Sequence, residues 1–162
     1  LLAAEMALYY KTLGKTPLDR LSEIYKQFGF FGDSQISRVF KGEQGTQIIQ
    51  GIMKDLRENI TELLAGMPVK AVKDYQLQTT RLVKENKTKK NISLPISNVL
   101  QFILEDNTLI SVRPSGTEPK IKFYISVSTP PGDNLEAMKK EAEQKTNSIS
   151  KYINTITKEG KK

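Results

Sequence analysis

The eight residues Arg113-Pro114-Ser115-Gly116-Thr117-Glu118-Pro119-Lys120 gather groups that suit a bound phosphate. Arg113 offers a planar fork of donors, and Ser115 and Thr117 offer hydroxyls. Gly116 carries no side chain to keep a bulky anion from the backbone N–H groups. Pro114 and Pro119 restrict φ on either side, so the turn is partly ordered before a ligand arrives. Glu118 can only accept hydrogen bonds when ionised and would repel phosphate, which assigns it to bracing the loop through Lys120 or backbone donors. Pro, Ser and Gly also serve ordinary turns for backbone reasons alone, so the stretch reads equally as a plain connection when taken in isolation.

Composition narrows the chemistry. The chain has no histidine and no cysteine, which removes Ser-His nucleophile pairs, imidazole bases, histidine metal ligands, thiolates and disulfides. Ser115 therefore has no base partner and is not a catalytic nucleophile. The net charge of +7 invites a nucleic-acid reading. Much of that charge lies in Lys84-Glu85-Asn86-Lys87-Thr88-Lys89-Lys90 and Lys161-Lys162, where a solvated loop and a frayed tail are the simpler readings. The chain opens at Leu1 in an apolar run that Glu5 interrupts, with no basic segment ahead of it. That reads as a helix already under way in a piece of a longer, soluble, cytoplasmic protein rather than a signal or membrane segment.

The elements that must position the loop follow from periodicity. Leu1 to Leu13 has helical spacing and stops at Gly14. Thr16 caps a second helix, with Pro17 at its first position and Leu18, Leu21, Ile24, Tyr25 and Phe28 on one face. The glycine-flanked segment Gly29-Phe30-Phe31-Gly32-Asp33 marks a boundary, with Phe30 and Phe31 at a junction. A strand at Ile36 to Lys41 leads through Gly42-Glu43-Gln44-Gly45 into a helix with Ile48, Ile49, Ile52, Met53 and Leu56 on one face. Val69 to Leu77 reads as a strand, and 84–91 as a flexible loop. Val99 to Glu105 and Thr108 to Arg113 form a hairpin about Asp106-Asn107. Ile121, Phe123, Ile125 and Val127 alternate with polar neighbours as a half-buried strand, and Asp133 or Asn134 caps a last helix. This order predicts an α+β layer, a mainly antiparallel four-stranded sheet with helices on one face, preceded by a helical pair.

The Arg113–Lys120 string, followed by Ile121-Lys122-Phe123-Tyr124-Ile125 and preceded by Asn98-Val99-Leu100-Gln101-Phe102, resembles the C-terminal signature of the α-D-phosphohexomutase family, in its phosphoglucomutase and phosphomannomutase branch. The resemblance implies a TATA-box-binding-protein-like final domain at 34–162, with 1–33 as the helical tail of the penultimate, sugar-recognising domain. It implies phosphate contacts from Arg113, Ser115, Gly116, Thr117 and Lys122, the last at a position where many relatives have arginine, and loop support from Pro114, Glu118, Pro119 and Lys120. It further implies an isomerase that interconverts hexose 1-phosphate and hexose 6-phosphate through a bisphosphate, using a phosphoserine and Mg2+ held by upstream domains. No D-G-D-x-D-R run or phosphoserine loop occurs here, so this chain alone is expected to be inactive and to bind no metal. The partners implied are a glucose or mannose phosphate and the upstream domains, with neither nucleic acid nor membrane. The rival readings are a basic nucleic-acid-binding module, using Tyr124, Lys122 and the lysine-rich stretch, and a stand-alone regulatory domain for phosphosugars. The helical opening is also expected to leave an apolar patch uncovered.

Overall fold

A computed structural model describes residues 1–42 and 44–159 of the chain, so Glu43 and the Lys161-Lys162 tail lie outside the described residues. Two helices come first, α1 (Leu2–Thr12) and α2 (Pro17–Phe28). The start of α2 is set by a capping box: Thr16 Oγ1 accepts the Asp19 N–H at 3.2 Å, and Asp19 Oδ2 accepts the Thr16 N–H at 2.7 Å. At its end Gly29 adopts φ +98°, and a Cβ there would stand 2.0 Å from the Thr129 carbonyl oxygen, so only glycine lets the chain pass. Phe30 then packs on Tyr25 at 4.9 Å between ring centroids, and its N–H donates to Thr129 Oγ1 at 3.1 Å.

The chain continues as β1 (Phe31–Val39), α3 (Gln44–Glu58), β2 (Leu63–Leu64), β3 (Met67–Asp74), β4 (Thr79–Leu82), β5 (Lys87–Lys90), β6 (Leu100–Leu104), β7 (Leu109–Pro114), β8 (Lys120–Ser128) and α4 (Leu135–Glu159). The strands form an eight-stranded sheet in the order β1-β8-β7-β6-β3-β4-β5, with β2 paired to β3 off that path. Each pairing among the described residues is antiparallel. The α+β class is as the sequence predicts, but the sheet has eight strands, seven of them side by side, where four are expected.

Two differences have clear physical reasons. The stretch 84–91, expected as a flexible loop, instead contains β5, which pairs with β4 from Thr79↔Lys90 to Leu82↔Lys87. Its residues are all exposed, so no apolar alternation could announce it; the strand exists by pairing, and its lysines guard a sheet edge against further strands. β1 begins at Phe31 rather than Ile36, because Phe31↔Ser128 and Gly32↔Val127 already pair with β8. The sheet thus takes in Phe31, Gly32 and Asp33, which the sequence assigns to the end of the preceding unit.

The core lies between one sheet face and the helices α3 and α4. Ile121, Phe123, Ile125 and Val127 of β8 are buried under them, as are Leu100, Phe102 and Leu104 of β6. Ile49, Ile52, Met53 and Leu56 of α3 and Met138, Ala142, Ile149 and Ile153 of α4 supply the other half. Each of these side chains larger than alanine contributes about 1.5–3 kcal/mol on burial, which makes the hairpin β7–β8 a rigid support. By contrast α1 and α2 bury no residue, and Leu2, Leu18 and Phe28 are 81%, 72% and 57% exposed. Among the described residues no helix is long and apolar enough to cross a membrane.

Candidate phosphate-binding site

Strand alternation decides where each candidate side chain stands. Ile121 and Phe123 of β8 are buried toward the helices, so Lys120, Lys122 and Tyr124 belong to the opposite, open face of the sheet. Arg113 pairs with Lys122 across β7–β8, which places it on that open face too. The Ser115 N–H donates to the Lys120 carbonyl at 2.7 Å, carrying the hairpin one rung past the end of β7. Arg113, Ser115, Lys120 and Lys122 therefore form a square at the loop end of the open face, with Ser37 of β1 opposite Lys122.

The charges in this square are unequal in availability. Lys120 Nζ is bound to Glu118 Oε2 at 2.5 Å. That contact, with a smaller contribution from Lys122, holds the Glu118 carboxyl below its usual range, so the pair is ionised and internally satisfied at neutral pH. Arg113 and Lys122 have no salt-bridge partner among the described residues. Two like charges directly opposite across a strand pair destabilise a sheet unless an anion joins them. The loop itself is tethered at both ends: the Lys120 N–H donates to the Glu118 carbonyl at 2.7 Å, and the Phe40 N–H donates to the Pro119 carbonyl at 2.9 Å.

Gly116 is not held by packing. A Cβ there would meet nothing within 4 Å, and its φ is not left-handed, so neither space nor strain demands glycine. What the missing side chain provides is open access to the backbone N–H groups of the turn.

On the other side of the loop lies a pocket of about 370 Å³, bordered by residues 114–119 and closed by α3. The square and the pocket share the loop as a common rim. The structure thus brings the candidate residues to one corner of the sheet: Arg113, Lys120 and Lys122 stand on the open face, Pro114, Gly116, Thr117, Glu118 and Pro119 border the pocket, and Ser115 belongs to both. Thr46 and Gln50 of α3, together with Asn98, also line it. Sequence reasoning did not single these three out as site residues, since nothing local marks a polar residue on a helix or before a strand as pocket lining. For Asn98 the only signal was its place in the string leading into β6.

A family model for the phosphoglucomutase/phosphomannomutase C-terminal domain matches residues 49–145, more than half of the chain. The chain belongs to this family. The span matched contains the whole Arg113–Lys120 loop and the sheet from β2 to β8. Among relatives, a phosphoglucomutase of Staphylococcus haemolyticus is 42% identical over 131 residues, covering 81% of this chain and 23% of the relative. A phosphoglucomutase of Staphylococcus saprophyticus is 34% identical over 151 residues, covering 91% of this chain and 25% of the relative. The chain therefore spans about a quarter of the length of the phosphoglucomutases it matches. A solved structure of pp63/parafusin, a Paramecium phosphoglucomutase in an open form, shares the fold at a TM-score of 0.50 and 15% identity, over 88% of this chain and 23% of that one.

Proposed function

We propose that this phosphoglucomutase/phosphomannomutase-family domain is the substrate-phosphate clamp of a hexose phosphate isomerase. The observation that carries the reading is the unneutralised Arg113–Lys122 pair beside an open glycine turn. Arg113 binds phosphate through its guanidinium, Ser115 and Thr117 through hydroxyl and backbone, Gly116 through its N–H, and Lys122 as a point charge. Pro114, Pro119 and the Glu118–Lys120 pair hold the turn in shape. A sugar phosphate is close to dianionic at neutral pH, since its second pKa lies near about 6. Donors of this kind recognise phosphate without reading the ring, which fits a clamp that takes hexose 1-phosphate and hexose 6-phosphate in turn as a bisphosphate intermediate reorients.

In this reading residues 1–33 complete a preceding sugar-recognising domain, and 34–162 form the clamp domain. The exposed apolar residues of α1 and α2 support that division, with β1, Phe31–Val39, running across its edge. The phosphoserine and the Mg2+ that family resemblance implies belong to upstream domains of a cytoplasmic enzyme. The residues described here do not fit Mg2+, because no group of three or more Asp, Glu, His or Cys could hold a metal ion among them.

An NMR shift titration of this chain with glucose 1-phosphate, glucose 6-phosphate and a short oligonucleotide tests the reading. Two or three charge-assisted hydrogen bonds support an affinity near about 1 mM, equivalent to about 4 kcal/mol. Both sugar phosphates are expected to move the signals of residues 113–117, and Arg113→Ala to abolish those shifts. Shifts confined to 84–91 with the oligonucleotide alone would replace the clamp with a nucleic-acid module.

A further inference from the structure

Of the three cations in the open-face square, Lys120 alone already holds an anion among the described residues. Its Nζ meets Glu118 Oε2 at 2.5 Å, while Arg113 and Lys122 have no salt-bridge partner there. The two partners differ in exposure: the Lys120 side chain is 23% exposed and the Glu118 side chain 58%. An ammonium so far withdrawn from water keeps an anion beside it, whereas a carboxylate still largely in solvent gives up an ion pair at little cost. Glu118 also lies within the field of the neighbouring cation. The Lys120 hydrogen bond and charge lower its carboxyl most, and the Lys122 charge lowers it further. The carboxylate thus stands among the cations that face a phosphate.

This ion pair is not the only brace of the turn. The Ser115 N–H donates to the Lys120 carbonyl and the Lys120 N–H to the Glu118 carbonyl, each at 2.7 Å, and the Phe40 N–H donates to the Pro119 carbonyl at 2.9 Å. The Glu118 side chain can therefore swing into solvent while the donors of the turn stay in place. Lys120 and Lys122 share one face of β8 and lie about 7 Å apart along the strand, a span that a flexible lysine stem and the three acceptor oxygens of a phosphate bridge.

We propose that Lys120 is a further phosphate ligand, masked by Glu118 until a dianionic phosphate displaces the carboxylate from Lys120 Nζ. This rests on the loop binding phosphate; the new element is that the loop carries its own competitor for one of its cations. The exchange sorts ligands by charge. A phosphate monoester near neutral pH carries close to two negative charges, against one on a carboxylate whose tether to the same turn keeps its local concentration high. A monoester therefore displaces Glu118, and a diester, with a single charge, does not. Lys120 then adds to the binding of sugar phosphates and not to that of phosphodiester backbones.

The test titrates methyl phosphate, a monoester, and dimethyl phosphate, a diester, into the wild-type chain, Glu118→Gln, Lys120→Met, the double variant and Arg113→Ala, with shifts followed at residues 113–117. Glu118→Gln is expected to tighten methyl phosphate about threefold, because no charged group has to leave Lys120. Lys120→Met is expected to weaken methyl phosphate about fivefold and to leave dimethyl phosphate within about twofold. In the Lys120→Met background the gain from Glu118→Gln is expected to shrink below about 1.5-fold, which separates loss of a competitor from a general change of charge. An unchanged amide spectrum outside the loop shows that each variant is folded, and Lys120→Gln replaces Lys120→Met if that spectrum is lost. Methyl phosphate binding that Glu118→Gln weakens or leaves unchanged overturns the proposal. So does a Glu118→Gln gain that persists without Lys120, or a Lys120→Met variant that loses neither ligand or both equally. In each of these cases an Arg113-dependent phosphate response leaves the clamp standing. A phosphate response that survives Arg113→Ala, or none in the wild type, overturns both.

Discussion

One methyl group separates the roles of Gly116 and Gly45. At Gly45, in the first turn of α3, a Cβ would stand 2.2 Å from the Phe40 carbonyl oxygen, in backbone that cannot move without shifting β1. Gly45→Ala is therefore expected to destabilise the fold by about 1–3 kcal/mol despite the better helix propensity of alanine, as read from chemical denaturation. At Gly116 the space is open, so Gly116→Ala is expected to leave stability within about 0.5 kcal/mol. Its effect appears in binding: the methyl group beside the turn's N–H groups weakens phosphate severalfold in a shift titration. Arg113→Ala is expected to cost about tenfold or more, the size of one charge-assisted hydrogen bond. Lys122→Ala is expected to cost less, because an ammonium contributes charge without a fork of donors.

The elements that frame the site are joined by two ion pairs of different kinds. Arg57–Asp74 ties the end of α3 to the end of β3, with the Arg57 and Asp74 side chains only 20% and 8% exposed. Asp74→Ala removes one partner and strands the other, and is expected to destabilise by about 3 kcal/mol, measured by denaturant midpoint. Lys145 of α4 bridges Asp106, in the β6–β7 turn, at 2.8 Å and Glu141 at 3.0 Å. Burial acts to raise the Asp106 carboxyl, but the Lys145 ammonium and the Thr108 N–H outweigh it, and the net direction is below the ordinary 3.8. A carboxylate depressed by folding stabilises above its unfolded value and ceases to do so as pH falls through its folded value. The contribution is present at neutral pH and fades below about pH 4. Burial likewise acts to lower Lys145, yet its carboxylate partners raise it above 10.5, so its contribution is complete below that pH and fades above it. Asp106→Asn is expected to flatten the acid limb of a stability-against-pH curve.

At the scale of the whole molecule, the sheet is closed on one face and open on the other, and the two faces have different tasks. The helix side supplies rigidity, while the open side presents Arg113 and Lys122 beside the loop. The helical pair α1–α2 adds no buried residue to this core; α2 meets it through Tyr25 against Phe30, while Leu2, Leu18 and Phe28 stay exposed. Leu18→Glu on α2 is expected to leave the unfolding midpoint unchanged, since the side chain is already 72% exposed.

The sequence by itself determined the local parts. The Arg113–Lys120 loop is legible because its chemistry is contiguous, and the hairpin around it because β6, β7 and β8 alternate strongly. The capping box at Thr16 and the stripes of α3 and α4 are equally local. Tertiary structure alone decided the rest. β5 has no apolar period and becomes a strand only by pairing with β4. The match of Arg113 to Lys122 depends on the register of β7 against β8, which turns two scattered cations into one facing pair. Asn98 is held by Arg57, 41 residues earlier in the chain, which is itself held by Asp74 at the end of β3. Propensity and periodicity act within a few residues, whereas the aim of a side chain is set by whatever the fold packs behind it.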